Sequence, residues 1–136
     1  MSEIFYLSGP MTGIKGFNVQ AFKEAAANLR AQGVTVHSPL DDLSFATLCE
    51  MQASADGRSE TGTNWGTKVG GSISHVANNC AGVILLPNWS LSKGSKLETH
   101  TALLCGQKIG MYLSVAPFVK WESVDAIVAG LKGSLK

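Results

Sequence analysis

Charge is scarce in this 136-residue sequence: Asp, Glu, Lys and Arg make up 15% of it, and 11 basic against 10 acidic residues leave a net +1. A protein that grips a nucleic-acid backbone needs a basic face to displace counterions from successive phosphates, so a nucleic-acid polymer is not an expected partner. Long apolar runs are missing as well. The longest, such as Val83–Pro87, fall far short of the ~20 residues that cross a bilayer, so no membrane association is expected. Met1–Tyr6 carries an acidic residue and runs directly into a strand pattern, so no secretory leader is visible and a cytoplasmic location is expected. The three cysteines, Cys49, Cys80 and Cys105, fall in no Cys-x-x-Cys or Cys/His spacing, which points away from a disulfide framework and from a zinc site. GxGxxG and the P-loop pattern GxxxxGK are both absent, which argues against a dinucleotide fingerprint and a P-loop NTPase. No metal or redox cofactor is implied.

What is present is an ordinary apolar fraction, 45%, in a chain of single-domain length. Ile4–Leu7 reads as a buried strand broken by Gly9-Pro10. After a loop with Gly9, Gly13 and Gly16, a helix is predicted from Asn18 as its N-cap, with Phe17, Ala21, Ala25 and Leu29 on one stripe beside Phe22 and Ala26. Gly33 supplies its left-handed stop, and Val34–His37 is a second strand closed by Ser38-Pro39. A short helix over Leu43–Met51 follows. Ala53–Gly71 then holds five glycines among polar residues and a lone aromatic, Trp65, and is read as a lid or insertion in one domain spanning residues 1–136. A helix over Ser72–Cys80, a central strand at Val83–Pro87, a helix over Ser95–Leu104 stopped by Gly106, strands at Ile109–Leu113 and Phe118–Trp121, and a last helix capped by Ser123 complete the chain. Apolar strands alternating with helices imply an α/β fold, a Rossmann-like three-layer sandwich with about five parallel strands. Ligands in such sheets bind beyond the carboxyl ends of the strands, which directs attention to Ser8–Asn18, Ser38–Asp42 and Asn88–Glu98.

The first of these loops, from Ser8 and Gly9 through Pro10 and Met11 to Asn18, is glycine-rich and sits at a helix N-terminus. It either presents backbone amides to an anion or sugar hydroxyl, or is a turn that merely needs glycine. The third loop places Ser92, Gly94 and Ser95 where a strand hands over to a helix, with Glu98 one turn in. Two hydroxyls, a small residue and the helix dipole suit a phosphate. Ser95-x-x-Glu98 equally fits a capping box, and on spacing alone capping has the stronger claim. Asp41 and Asp42 end the second strand as turn caps or as site carboxylates. Trp89 either walls a base pocket or packs at a strand end, and His37, His75 and His100 read first as packed or solvated residues.

The ordered set is more informative than any piece. Ile4–Met11 (IFYLSGPM), Gly16-Phe17-Asn18, Val36-His37-Ser38-Pro39, Val83–Trp89 (VILLPNW) and Ser92–Glu98 (SKGSKLE) together resemble the nucleoside 2-deoxyribosyltransferase superfamily. The likeness is to a small phage and bacterial branch, related to 2′-deoxynucleoside 5′-monophosphate N-hydrolases, and runs from Ile4 to about Leu113. It implies N-glycosidic chemistry with Glu98 as nucleophile on C1′, in the manner of a retaining glycosidase. It also implies a 5′-phosphate held by Ser92, Gly94 and Ser95, Ser8 and Gly9 approaching phosphate and sugar, and Tyr6 or Asn18 orienting the ribose. The helix start and neighbouring Lys93 and Lys96 favour an ionised Glu98. The partner implied is a small nucleoside or nucleotide, and the assembly a homodimer or larger. One departure stands out: the acidic pair that many members carry before and at the central strand is replaced here by Gly71–His75 and by Ala81-Gly82. That departure keeps open a catalytically inactive module that binds a nucleotide or sequesters a nucleotide signal.

Overall fold

The computed structural model describes residues 3–11, 14–41, 44–53 and 75–134. The glycine-rich stretch read as a lid, from residue 54 on and including Trp65, lies outside them, as do Thr12, Gly13, Asp42 and residues 72–74.

Five strands, β1 (Ile4–Ser8), β2 (Thr35–His37), β3 (Gly82–Leu85), β4 (Lys108–Tyr112) and β5 (Val119–Trp121), form one sheet in the order β2-β1-β3-β4-β5. The first four pair in parallel, as expected. β5 does not: it pairs antiparallel with β4, Met111 opposite Lys120, and corrects the expectation of about five parallel strands to four and an antiparallel edge. The reason lies in the connection. Only residues 113–118 separate the two strands, whereas a parallel return needs a crossover of about a dozen residues or more.

Helices cover both faces. On one side α1 (Val19–Ala31) lays Val19, Phe22, Ala25, Ala26 and Leu29 against Phe5, Leu7, Val36 and Ile84, and α2 (Phe45–Ala53) adds Leu48 and Met51. On the other, Val76 from α3 (described over residues 75–79), Ala102 from α4 (Lys93–Leu104) and Ile127 from α5 (Val124–Ser134) pack with Tyr6, Val83, Leu85 and Ile109. The period-2 alternation of β1 divides its side chains: Phe5 and Leu7 face α1, and Tyr6 faces the α3–α5 layer. The result is a Rossmann-like three-layer α/β domain. No helix among the described residues is long and apolar enough to cross a membrane.

The α1 stripe forms as its spacing predicts, but its entry differs. Gly16, Phe17 and Asn18 all adopt left-handed backbone (φ 63°, 54° and 60°) in a tight turn before the helix. Asn18 makes no side-chain cap; its Nδ2 donates instead to the Pro10 carbonyl, 2.9 Å away, tying the turn back onto the first loop. At the far end Gly33 has φ +82° with nothing within 4 Å of where a Cβ would stand. Gly33→Ala therefore meets a conformational cost without a clash, and we expect a loss of about 1 kcal/mol in unfolding free energy, read as a lower urea midpoint. An unchanged midpoint would contradict the assigned role of this glycine.

Candidate functional site

The strand order reverses direction between β1 and β3, and in doubly wound sheets the crevice beyond the carboxyl ends of such strands receives the ligand. Ser8 closes β1 there, paired with Leu85 of β3. The next residue is glycine for a steric reason: a Cβ on Gly9 would stand 2.7 Å from Leu86 Cβ, so the first loop lies directly on the end of β3. The Leu86 amide donates to the Ser8 carbonyl at 2.8 Å and clamps the two strand ends together.

From β3 the chain passes through a 3-10 turn, Trp89–Leu91, into α4. The helix starts earlier than its sequence pattern implies. Ser92, in extended backbone, is the N-cap, and its Oγ accepts from the Ser95 amide at 3.2 Å. The capping box read at Ser95-x-x-Glu98 is thereby displaced: Ser95 sits inside the first turn and Glu98 lies too deep to reach the cap. Glu98 instead points at the sheet. It is 7% exposed, and Ser8 Oγ donates to its Oε1 at 2.5 Å. Ser95 Oγ lies 2.9 Å from Ser8 Oγ. A hydroxyl has one proton, and a carboxylate is the stronger acceptor, so the consistent arrangement runs from Ser95 hydroxyl to Ser8 oxygen and from Ser8 hydroxyl to Glu98. Ser8 and Ser95 are 1% and 2% exposed, so the chain of three polar side chains is an interior one. Thr99, fully buried one turn on, returns its hydroxyl to the Ser95 carbonyl at 2.7 Å and adds no competing donor to the carboxylate.

Of the residues predicted for the site, Tyr6, Ser8, Ser92, Gly94, Ser95 and Glu98 gather on the α4 side of β1 and β3, while Gly9 faces Leu86 on the α1 side. Among the described residues a Cβ on Gly94 would meet only Ser92 Oγ, at 3.9 Å, so none of them packs over the backbone of the first turn of α4 there. Trp89 is 7% exposed and belongs to the core with Tyr6 and Leu85, the packing alternative of the two read from sequence. Pro10 is buried and Met11 packs toward the α1 layer, so with Asn18 they brace the first loop. Asp41 is turned elsewhere. Its Oδ2 accepts from the Ser38 amide at 2.9 Å and pairs with Arg30 Nη2 at 3.0 Å, the turn-cap reading. Among the described residues no group of three or more His, Cys, Asp and Glu stands close enough to hold a metal ion. A surface cavity of about 260 Å³, lined by Lys108, Ile109, Trp121 and Glu122, lies at the opposite edge, by the start of β4.

A family model described as a domain of unknown function, DUF4406, matches residues 3–111 of this chain. The chain belongs to the DUF4406 family. The matched region runs from the start of β1 into β4 and contains every residue of the Ser8–Ser95–Glu98 chain. Comparison with curated proteins gives no match.

Two features of the DUF4406 site escape sequence reasoning. Cys80 lies between α3 and β3, half-buried; burial, and secondly the Glu98 carboxylate, push its thiol up from 9.0 to about 11. The folded protein therefore keeps this proton where an unfolded chain, releasing near 9, has lost it. Between about pH 9 and 11 the unfolded state binds fewer protons, so this group's contribution to stability falls as pH rises through that window. Cys49 and Cys105 are exposed. With iodoacetamide at pH 8 we expect both to be alkylated in the native protein and Cys80 to stay unmodified by mass spectrometry, because only the thiolate reacts. Glu98→Gln removes the second cause and should speed Cys80 labelling. Equal labelling of all three thiols in the parent would contradict the assignment. The second feature is a ring cluster of Tyr6, His37 and His75. No spacing signals it, because it depends on β1–β2 register, which sets Tyr6 beside His37.

Proposed function

We propose that the protein cleaves or transfers at the N-glycosidic bond of a nucleoside or, preferentially, a nucleoside 5′-monophosphate, with the Glu98 carboxylate as nucleophile. One observation carries the reading: Glu98 is buried and held across the switch point by Ser8 of β1, not engaged in capping its own helix. Burying a carboxylate costs free energy that a merely structural helix residue would avoid, so its retention here calls for a task. The resemblance to nucleoside 2-deoxyribosyltransferases supplies the reaction class.

In this scheme the Ser8 hydroxyl fixes the carboxylate's position, so that one lone pair meets C1′ as the glycosidic bond lengthens and positive charge develops on the sugar. The first turn of α4, with Gly94 and the half-buried Ser92 hydroxyl, whose oxygen accepts from the Ser95 amide and whose proton is left to donate, receives the 5′-phosphate, where the helix amides and dipole favour an anion. Water, or a second base, then resolves the glycosyl-enzyme ester. We assign the protein to the cytoplasm and to a homo-oligomeric assembly on the same resemblance.

A second reading has its own observation. Ala81 and Gly82, at the start of β3, carry no carboxylate, as a nucleotide-binding or nucleotide-sequestering module without turnover would have it. Incubation with ribo- and deoxynucleosides and their monophosphates, with free base followed by chromatography, separates the two. Base release that Glu98→Gln abolishes supports the enzyme. A thermal shift with a monophosphate but no base from any substrate supports the module and sinks the enzyme.

A further inference from the structure

A departing nucleobase takes the bonding pair of the C1′–N bond, and unless it is protonated it leaves as a poor, anionic group. Among the described residues the supply of carboxylic acids at this end of the sheet is thin. At the carboxyl edge of the described strands the other carboxylate is Asp41, and it is held by Arg30 and the Ser38 amide. Against Tyr6, on the same strand as Ser8, stands a pair of imidazoles. Tyr6 lies two residues before Ser8 on the same face of β1, and its neighbour across the strand pair is His37 at the end of β2. The two rings stack, 5.8 Å between centroids and 19° between planes. His75, at the beginning of the described part of α3, brings its ring to 4.3 Å from His37 and 6.0 Å from Tyr6. Tyr6 is buried and both histidines are half-buried; His75 Nε2 is turned inward, and its Nδ1 lies 3.3 Å from Asn79 Nδ2. Successive same-face residues on a strand are roughly 7 Å apart, which sets Tyr6, against which both imidazoles pack, about one nucleobase width from Ser8.

We propose that His37 and His75 act together as the proton donor to the departing base; this rests on the glycosidic reading above and names the acid that reading lacks. The pair supplies one proton to each departing base. In the first half-reaction the C1′–N bond breaks, its electron pair goes to the base nitrogen, and that nitrogen takes the proton from the imidazolium, leaving a neutral imidazole. A lone pair of Glu98 forms the new bond to C1′. In the second, water adds to C1′, the bond to Glu98 breaks with its pair returning to the carboxylate, and the water's proton goes to the imidazole. The balance is nucleotide plus water giving free base plus sugar phosphate, with both groups restored.

The test uses leaving groups. His37→Asn, His75→Asn and the double variant, each also made with Gln, are assayed on the monophosphate of whichever ordinary base the parent releases fastest. They are assayed in parallel on the 7-methylguanine nucleotide, whose base already carries positive charge and departs without a proton. The expected result is a loss of about 100-fold or more on the ordinary base, with the double no worse than the weaker single and 7-methylguanine release near that of the parent. Release of 7-methylguanine also reports that a variant's site is folded. An equal loss on both substrates in variants whose unfolding midpoint is that of the parent, or an undiminished double variant, overturns the proposal and leaves the glycosidic reading standing. A parent that releases 7-methylguanine but no ordinary base does the same. Base release that survives Glu98→Gln, or no release of any base by the parent, overturns the glycosidic reading and the proposal with it.

Discussion

Glu98→Gln is expected to lower base release by at least about a thousandfold, roughly 4 kcal/mol of barrier, while the protein stays as stable as before or becomes more so. The substitution keeps the shape of the side chain, and the amide oxygen still accepts from Ser8, so the hydrogen bond that crosses from β1 to α4 survives. What disappears is the anionic lone pair that bonds C1′, and an amide oxygen does not replace it. The same change relieves a buried charge of its desolvation cost, which is why the unfolding midpoint is expected to hold or rise. Single-turnover base release and a urea titration on the same preparation check both halves. A variant that is both active and destabilised would mean that Glu98 is a structural carboxylate, and the proposed chemistry would fall.

Ser8→Ala carries the opposite signature. The hydroxyl donates to Glu98 and stands within hydrogen-bond distance of Ser95, and all three side chains are buried. Alanine takes a hydrogen-bond partner from two buried polar groups at once, one of them charged, and we expect a loss of about 2–3 kcal/mol in unfolding free energy. Catalysis should fall too, through a carboxylate no longer fixed in position. Pairing Ser8→Ala with Glu98→Leu distinguishes this contact from general loss of packing. Once the acceptor is gone, removal of the donor should cost far less, giving a coupling of about 1–3 kcal/mol in the double-mutant cycle. Additivity within about 0.5 kcal/mol would show that the two side chains do not depend on one another.

Much of the fold was legible because its signals are local. The α1 stripe, the Gly33 stop and the apolar run of β3 sit within a residue or two of where spacing and turn chemistry put them. The direction of β5 was also within reach, since the six residues of 113–118 cannot carry a crossover, but an apolar run by itself has no direction. Asn18 misled for a different reason. Its type suits an N-cap, yet the left-handed turn at Gly16–Asn18 rotates its side chain onto the Pro10 carbonyl, a partner eight residues back that no local pattern announces.

The site divides along the same line. Sequence alone determined the element order, the loops that follow the carboxyl ends of the strands, and the short segment Ser92–Glu98 as the place to look, because glycine, hydroxyl and carboxylate positions follow from local propensity. It left Glu98 suspended between a helix cap and a reacting group, since Ser-x-x-Glu satisfies both. Tertiary structure removed the first of these. The helix begins at Ser92, which turns Glu98 inward, and the β1–β3 pairing sets Ser8 directly beneath it. It also brought His37 and His75 together from β2 and α3. Both are contacts between residues far apart in the chain, fixed by strand register and helix docking, and the physical information that specifies them exists only once the sheet has formed.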